Sequence, residues 1–369
     1  MHKGGVMTDT FANRIRTYRK KAGLTQPILA QKVGVSQSTL ARWESGAREP
    51  SLKILKKISD LLGIPLDILA FGAMQYDMPN RLKDIDLPKV PLLAKDSVVA
   101  FQGELGAYSN LAIKALYPHV EVLPCASFAD AFQAVENGTA TVAVIPIENS
   151  LGGRVADIHH LLPESNLHIV GEHFQPVEHC LLGVKGARLE DIKSVYSHEQ
   201  ALSQCRHRLR DMDIEPRKHT DTAGAAHFVS CDKDMKKGAL ASKLAAQIYG
   251  LTILQENMED TSGNTTRFIV LSRDSIRPNS QAGQIITSCI FFTRDIPASL
   301  YKALGGFATN GVNIRKLESY VPMLEKSGDA HFYVEFMGAT NEHSVALALE
   351  ELKFFTTHIR ILGSYTENK

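Results

Sequence analysis

Apolar residues along the chain repeat with three different rhythms. From Phe11 to Leu69 they fall every three or four positions: Phe11, Ile15 and Tyr18; Leu29 and Val33; Leu40 and Trp43; Leu52, Leu55 and Ile58; Leu66 and Leu69. That spacing predicts a run of short amphipathic helices. Gly23, Gly34 and Gly46 interrupt it, Thr25 and Ser36 stand where helix caps are expected, and Pro27 falls near a helix start. The module spans residues 9–72. Residues 73–97 carry Pro79, Pro88 and Pro91 among charges, show no periodicity, and read as a linker.

From residue 98 the rhythm changes. Apolar runs at 98–101, 120–123 and 141–145 alternate with helical stretches at 109–116 and 128–135, and further strand-like runs follow at 167–170, 177–184, 195–196 and 268–271. This is α/β order, with a parallel or mixed sheet. Over 284–369 the order is strand, helix, strand, strand, helix, strand, the order of a ferredoxin-like α+β sandwich. The expected fold class is therefore multidomain: an all-α module, an α/β domain at 98–275, and an α+β domain at 284–369.

Composition narrows the setting. With 44% hydrophobic and 22% charged residues the chain is of ordinary globular type. Residues 9–72 hold eleven Lys and Arg against five Asp and Glu, while the whole chain is only +1. A basic module on a mildly acidic body points to a polyanionic partner for the module alone. Five scattered cysteines with no C-x-x-C pair argue against a disulfide framework and a zinc site. No apolar run has membrane-helix length and no signal peptide is recognisable, so the cytoplasm is expected.

The candidate chemistry lies at the ends of the predicted strands. The stretch 264–268, Asn-Thr-Thr-Arg-Phe, leads directly into an apolar strand. It offers a hydroxyl at Thr266 and a planar guanidinium fork at Arg267. Gly103 and Gly106 open a helix at Tyr108-Ser109, a place where backbone N–H groups meet anions. The spacing is wrong for a dinucleotide fingerprint. After the third strand come Glu148, Asn149, Ser150 and two glycines, and after 195–196 comes Ser197-His198-Glu199-Gln200, with Gln204 and Cys205 further along the helix.

With Asp221-Thr222-Ala223 as a fifth, these motifs, taken in chain order over 98–275, resemble prephenate dehydratase. The resemblance implies a two-lobed fold of periplasmic-binding-protein type with the site in its cleft, the chain crossing between lobes near 175 and near 255. It implies loss of the ring hydroxyl and ring carboxylate of prephenate to give phenylpyruvate, carbon dioxide and water, with neither cofactor nor metal. By resemblance Thr266 donates to the departing hydroxyl and Arg267 anchors a carboxylate, with Glu148 and Asn149 in the same catalytic group. Ser197, Gln204, Ser150, Tyr108 and Phe268 belong to the substrate-binding set. His198 is a minor candidate acid, and Cys205 is expected to be packing. Glu199 departs from the proline common in the family.

The string Leu24-Thr25-Gln26, Val33-Gly34-Val35-Ser36, Leu40, Trp43-Glu44 and Gly46 resembles the phage-repressor-like helix-turn-helix family. That implies Gln37, Ser38 and Arg42 in the major groove of duplex DNA and Gln26 at a phosphate; the competing reading is a module that docks protein. The C-terminal region resembles the ACT domain, which implies L-phenylalanine or another amino acid bound by Ala298, Ser299, Leu300, Glu318 and Ser319, and a homodimer or homotetramer. Tyr320-Val321 replaces that family's Arg-Pro. Two other functions compete with the dehydratase: an arogenate dehydratase, and a transcriptional regulator that uses the dehydratase fold as an effector sensor.

Overall fold

The computed structural model describes residues 11–48, 50–62, 69, 89–278, 283–294, 296–320 and 330–368. The chain forms two compact units, Met1–Asp86 and Leu87–Lys369. In the first, α1 (Phe11–Lys21), α2 (Gln26–Val33), α3 (Gln37–Glu44) and α4 (Leu52–Leu62) enclose Ile15, Leu29, Leu40, Trp43, Ile58 and Leu69. Gly34, at φ +80°, makes the left-handed turn between α2 and α3. Ser36 accepts from the Thr39 N–H and caps α3, but Thr25, though at the cap position of α2, makes no side-chain cap. The Arg19 guanidinium grips buried Glu44 in a two-pronged pair, and Gln26 donates to the same carboxylate at 2.8 Å. The expected last short helix lies outside the described residues except for Leu69, and so does the linker up to 88.

The second unit holds three sheets. In the first, β1 (Val98–Gln102), α5 (Tyr108–Leu116), β2 (Glu121–Cys125), α6 (Phe128–Glu136), β3 (Val142–Asn149), β4 (Gly153–Arg154), α7 (Ala156–Glu164) and β5 (His168–Pro176) form one lobe. The chain then crosses to β6 (Cys180–Gly183), β7 (Ser194–Ser197), α8 (Glu199–Gln204), α9 (Arg206–Asp211), β8 (Glu215–Lys218), α10 (Thr222–Asp232), β9 (Lys237–Ala241), α11 (Lys243–Tyr249) and β10 (Thr252–Gln255). It returns as β11 (Thr265–Ser272), which inserts antiparallel between β3 and β5. The strand orders are β2-β1-β3-β11-β5 and β10-β6-β9-β7-β8. The two expected crossings are both present, so the cleft between the lobes is bounded by the loops at strand ends.

The third sheet follows the expected order, with β12 (Ile285–Thr293), α12 (Ser299–Thr309), β13 (Ile314–Tyr320), β14 (Ala330–Met337), α13 (His343–Phe355) and β15 (Thr356–Thr366) arranged β13-β14-β12-β15. It does not stand apart. Ile286, Ile290, Tyr333, Leu362 and Tyr365 share a core with Ile145, Ile147, Ile269 and Leu271 of the first lobe. Gly363 permits this, because a Cβ there would overlap the Ile169 carbonyl oxygen of β5. The Tyr320-Val321 departure falls partly outside the described residues.

Backbone has nowhere to move at that crossing, so Gly363→Ala is expected to cost about 1–3 kcal/mol of stability. A urea melt of the variant with an unchanged midpoint would remove the close approach from the account.

Candidate active site

A cavity of about 430 Å³ lies in the cleft, with Tyr108, Ser109, Pro146, Asn149, Thr266 and Phe268 from one lobe and His179, His198, Gln200, Gln204 and Thr222 from the other among its lining residues. Phe128, Val155 and Val177 add apolar wall. Two helices of useful length, α5 and α10, begin at this wall, which aims their positive ends at the cavity. A larger groove of about 610 Å³ runs along residues 199–218, but it holds neither Thr266 nor Asn149.

Thr266 and Arg267 do not act together. Both lie on β11, and neighbours on a strand face opposite sides. Thr266 and Phe268 face the cavity, whereas the Arg267 guanidinium, 5% exposed, points to the other face of the sheet. There its Nε donates to Glu172 at 2.8 Å and its Nη1 to Glu148 at 3.1 Å and to Glu335 at 3.0 Å, while Nη2 meets the Tyr365 hydroxyl at 3.1 Å. The expectation that Arg267 anchors a substrate carboxylate is therefore corrected: its donors are engaged by the protein's own carboxylates and the Tyr365 hydroxyl.

Glu148 is corrected for a related reason. Arg267 pairs with Glu148 but Phe268 pairs with Pro146, so Ile147 is an extra residue, a β-bulge in β3. The bulge reverses the faces of the two residues that follow it. Pro146 lines the cavity, Glu148 turns to Arg267 and Lys316, and Asn149 turns back to the cavity. Burial raises the Glu148 carboxyl, but hydrogen bonding and charge from Lys316, with Arg267 behind, outweigh it and hold the group below the usual carboxylate range. Ser197 is fully buried and donates to the Leu240 carbonyl at 2.7 Å, because it closes a strand rather than opening onto the cleft. Ser150 accepts from the Thr265 N–H at 3.0 Å and shapes the loop behind the wall. Asn149, Gln204, Tyr108 and Phe268 do line the cavity.

The hydrogen bonds among these residues have only one consistent direction. Asn149 Oδ1 accepts from the backbone N–H groups of Leu151 at 3.0 Å and Gly152 at 2.7 Å, so its amide orientation is fixed. Its Nδ2 must then donate to Asn264 Oδ1 at 2.8 Å and Thr266 Oγ1 at 2.9 Å. Asn264 Nδ2 in turn donates to Gln204 Oε1 at 3.1 Å, and so His179 Nε2, 3.0 Å from the same oxygen, carries a proton. Thr266 is thus left with its own proton free to point into the cavity.

A model of the prephenate dehydratase family matches residues 99–276, and a helix-turn-helix model matches residues 15–69. A protein of Komagataeibacter europaeus named as a bifunctional N-acyl-homoserine lactone acylase/prephenate dehydratase is 45% identical over 271 residues, 73% of this chain and 96% of its own length. The chain belongs to the prephenate dehydratase family. A second family relative, arogenate dehydratase 2 of Petunia hybrida, is 39% identical over 78% of this chain and 76% of its own. The prephenate dehydratase of Arthrobacter aurescens, solved in complex with L-Phe, superposes with a TM-score of 0.67 at 28% identity, over 73% of this chain and 90% of its own.

Other residues of the cavity wall gave weaker signals in the sequence. His179 is 2% exposed and stands in the run 177–184, read simply as a strand; a histidine within an apolar run was the available signal. Asn264 opens the Thr-Thr-Arg-Phe stretch, and its amide links Asn149 to Gln204. His198 lines the cavity and its Nδ1 accepts from the Gln200 N–H at 3.3 Å, capping α8. At the C-terminal domain, Ala298 holds φ +61° just before α12, with Ser299 and Leu300 in its first turn. Glu318 and Ser319 lie on β13, where Glu318 meets Lys316 at 3.0 Å and the Ser319 carbonyl accepts from Arg154 at 2.9 Å.

Arg267→Met leaves Glu172 and Glu335 buried without their cation, which is expected to cost about 3–5 kcal/mol of stability. Thermal or urea unfolding reads this directly. An unchanged stability with a raised KM would instead restore Arg267 to the substrate.

Proposed function

We propose that prephenate binds in this cleft and that Thr266 hydrogen-bonds the ring hydroxyl as it leaves. The carbon–oxygen bond and the carbon–carbon bond to the ring carboxylate both break: the electrons of the carbon–carbon bond enter the ring as carbon dioxide leaves, and the departing hydroxide takes one proton from solvent to leave as water. The supporting observation is the fixed direction of the Asn149–Thr266 bond, which commits Thr266 to donating. A neutral hydroxyl is a poor acid, so its part is to stabilise charge on the departing oxygen. Apolar groups from Phe128, Val155 and Phe268 suit the ring, and a poorly solvated ring carboxylate is favoured to break up. Arogenate differs by an amino group at the side chain, remote from this chemistry.

For the helix-turn-helix unit we propose duplex DNA as partner. Gln37, Ser38 and Arg42 are all exposed on α3, opposite the buried Leu40 and Trp43. Gln26 is partly engaged by Glu44, which leaves it a smaller share of any phosphate contact. For the C-terminal domain we propose an amino-acid effector of the L-phenylalanine kind and pairing of β13, an edge strand with Leu317 and Ser319 exposed, with a second copy.

Thr266→Val is expected to lower kcat about 10²–10³-fold with little change in the unfolding midpoint. Asn149→Asp makes the neighbour an acceptor, turns the Thr266 proton inward, and is expected to reproduce most of that loss. Near-normal turnover of prephenate to phenylpyruvate in both variants would sink the assignment. For DNA, anisotropy of a labelled duplex should report binding that weakens steeply with salt, and Arg42→Ala should weaken it further by about 1–3 kcal/mol on a preferred site. A full-length protein that binds no duplex at low salt would refute that reading.

A further inference from the structure

The proposed substrate is a dianion, and the wall offered to it lacks fixed positive charge. Among the described residues lining the cavity there is no Lys or Arg, and Asp221 adds a carboxylate. Arg267, the nearest guanidinium along the chain, faces the other side of the sheet. The two groups able to become cationic are His179 and His198. His198 uses its Nδ1 as an acceptor in capping α8, which a proton there would break.

The surroundings of His179 are of the opposite kind. Its Nδ1 lies 2.9 Å from the Tyr108 hydroxyl, which also lies 2.8 Å from the Glu178 carbonyl oxygen. Tyr108 has one proton and, while the ring is neutral, two acceptors. One of those two contacts is then without a hydrogen. A proton on Nδ1 resolves the conflict: Nδ1 donates to the Tyr108 oxygen, Tyr108 donates to the Glu178 carbonyl, and Nε2 continues to donate to Gln204 at 3.0 Å. All these polar atoms are satisfied together only around an imidazolium.

Burial acts against that charge and holds His179 below its ordinary value, with the Gln204 hydrogen bond and the Glu259 carboxylate pulling the other way. The other titratable groups near the pair are Tyr108, raised by burial, the Cys180 and Cys205 thiols, likewise raised by burial, and exposed Glu178. Glu259 is held against the His179 backbone N–H at 3.0 Å. An anion arriving within about 4–6 Å favours the charged ring.

We propose that His179 takes up one proton when prephenate binds, and that the resulting imidazolium is the cation the bound dianion meets. This rests on the reading of the cleft as the prephenate site. The test is calorimetric titration of prephenate into the full-length Thr266→Val protein, which turns over slowly, at pH 7.5 in phosphate and in Tris. The expected result is a buffer-dependent heat corresponding to roughly one proton taken up per site. The uptake should vanish when His179→Gln is added, since that side chain can keep the donor to Gln204 but cannot be protonated. Buffer-independent heat with prephenate bound overturns the proposal, as does uptake that survives His179→Gln and is lost with His198→Gln. Absence of any binding heat is a separate result, and it overturns the cleft reading and this proposal together.

If His179→Gln does not fold, the native enzyme answers. The lowered value in the free enzyme means that the protonated form is depleted as pH rises. kcat/KM should therefore fall about tenfold per pH unit from 7 to 8.5. A flat profile over that range overturns the proposal.

Discussion

The polar order of the cleft hangs on two backbone N–H groups. Leu151 and Gly152 hold the oxygen of the Asn149 amide, at 3.0 and 2.7 Å, and that choice propagates. The amide nitrogen has to donate, so Asn264 has to accept with its oxygen and donate with its nitrogen, and Gln204 has to receive it. Each step leaves no freedom for the next because every group has a fixed count of donors and acceptors. This run of hydrogen bonds begins in one lobe and ends at His179 in the other, so it ties the two lobes together across the cleft.

Much of this was legible in the sequence and some was not, for identifiable reasons. The run 268–271 is visible as a strand, but β11 begins three residues before it, at Thr265. Once Thr266 and Arg267 are both on the strand, alternation separates them. Nothing in the local pattern reveals the bulge at Ile147, since an apolar residue between Pro146 and Glu148 looks like ordinary continuation. Yet that one residue decides that Glu148 faces the C-terminal sheet and Asn149 the cavity. Ser197 failed differently: a serine before a helix reads as a cap, whereas His198 takes the cap and Ser197 is sealed under the Leu240 carbonyl.

On the far face of the sheet a single guanidinium holds three carboxylates from three elements. Glu172 comes from β5, Glu148 from the bulged end of β3 and Glu335 from β14, with the Tyr365 hydroxyl completing the ring. Burial raises Glu172, with Glu335 adding to it, although Arg267 and the Asn368 N–H pull the other way. Such a cluster is weak evidence for stability, but its one guanidinium ties three elements together, and removing it strands the buried carboxylates. Arg267 stands between Thr266 and Phe268, so the C-terminal domain clamps the strand segment that carries the cavity wall. No period in the sequence could announce this, since Glu335 and Tyr365 read there as unremarkable strand positions.

The separation of Thr266 from Arg267 also suits the chemistry better than the pairing first expected. A permanent guanidinium against the ring carboxylate would stabilise it before reaction as well as during it, and the group must lose its charge to leave as carbon dioxide. Ground-state stabilisation of that kind raises the barrier to the step it accompanies. Neutral donors do otherwise. Thr266 and the Gln204 amide, both on the cavity wall, can strengthen hydrogen bonds as charge builds on a departing oxygen. Strand alternation, by sending the guanidinium to the opposite face, keeps that permanent charge off the cavity wall.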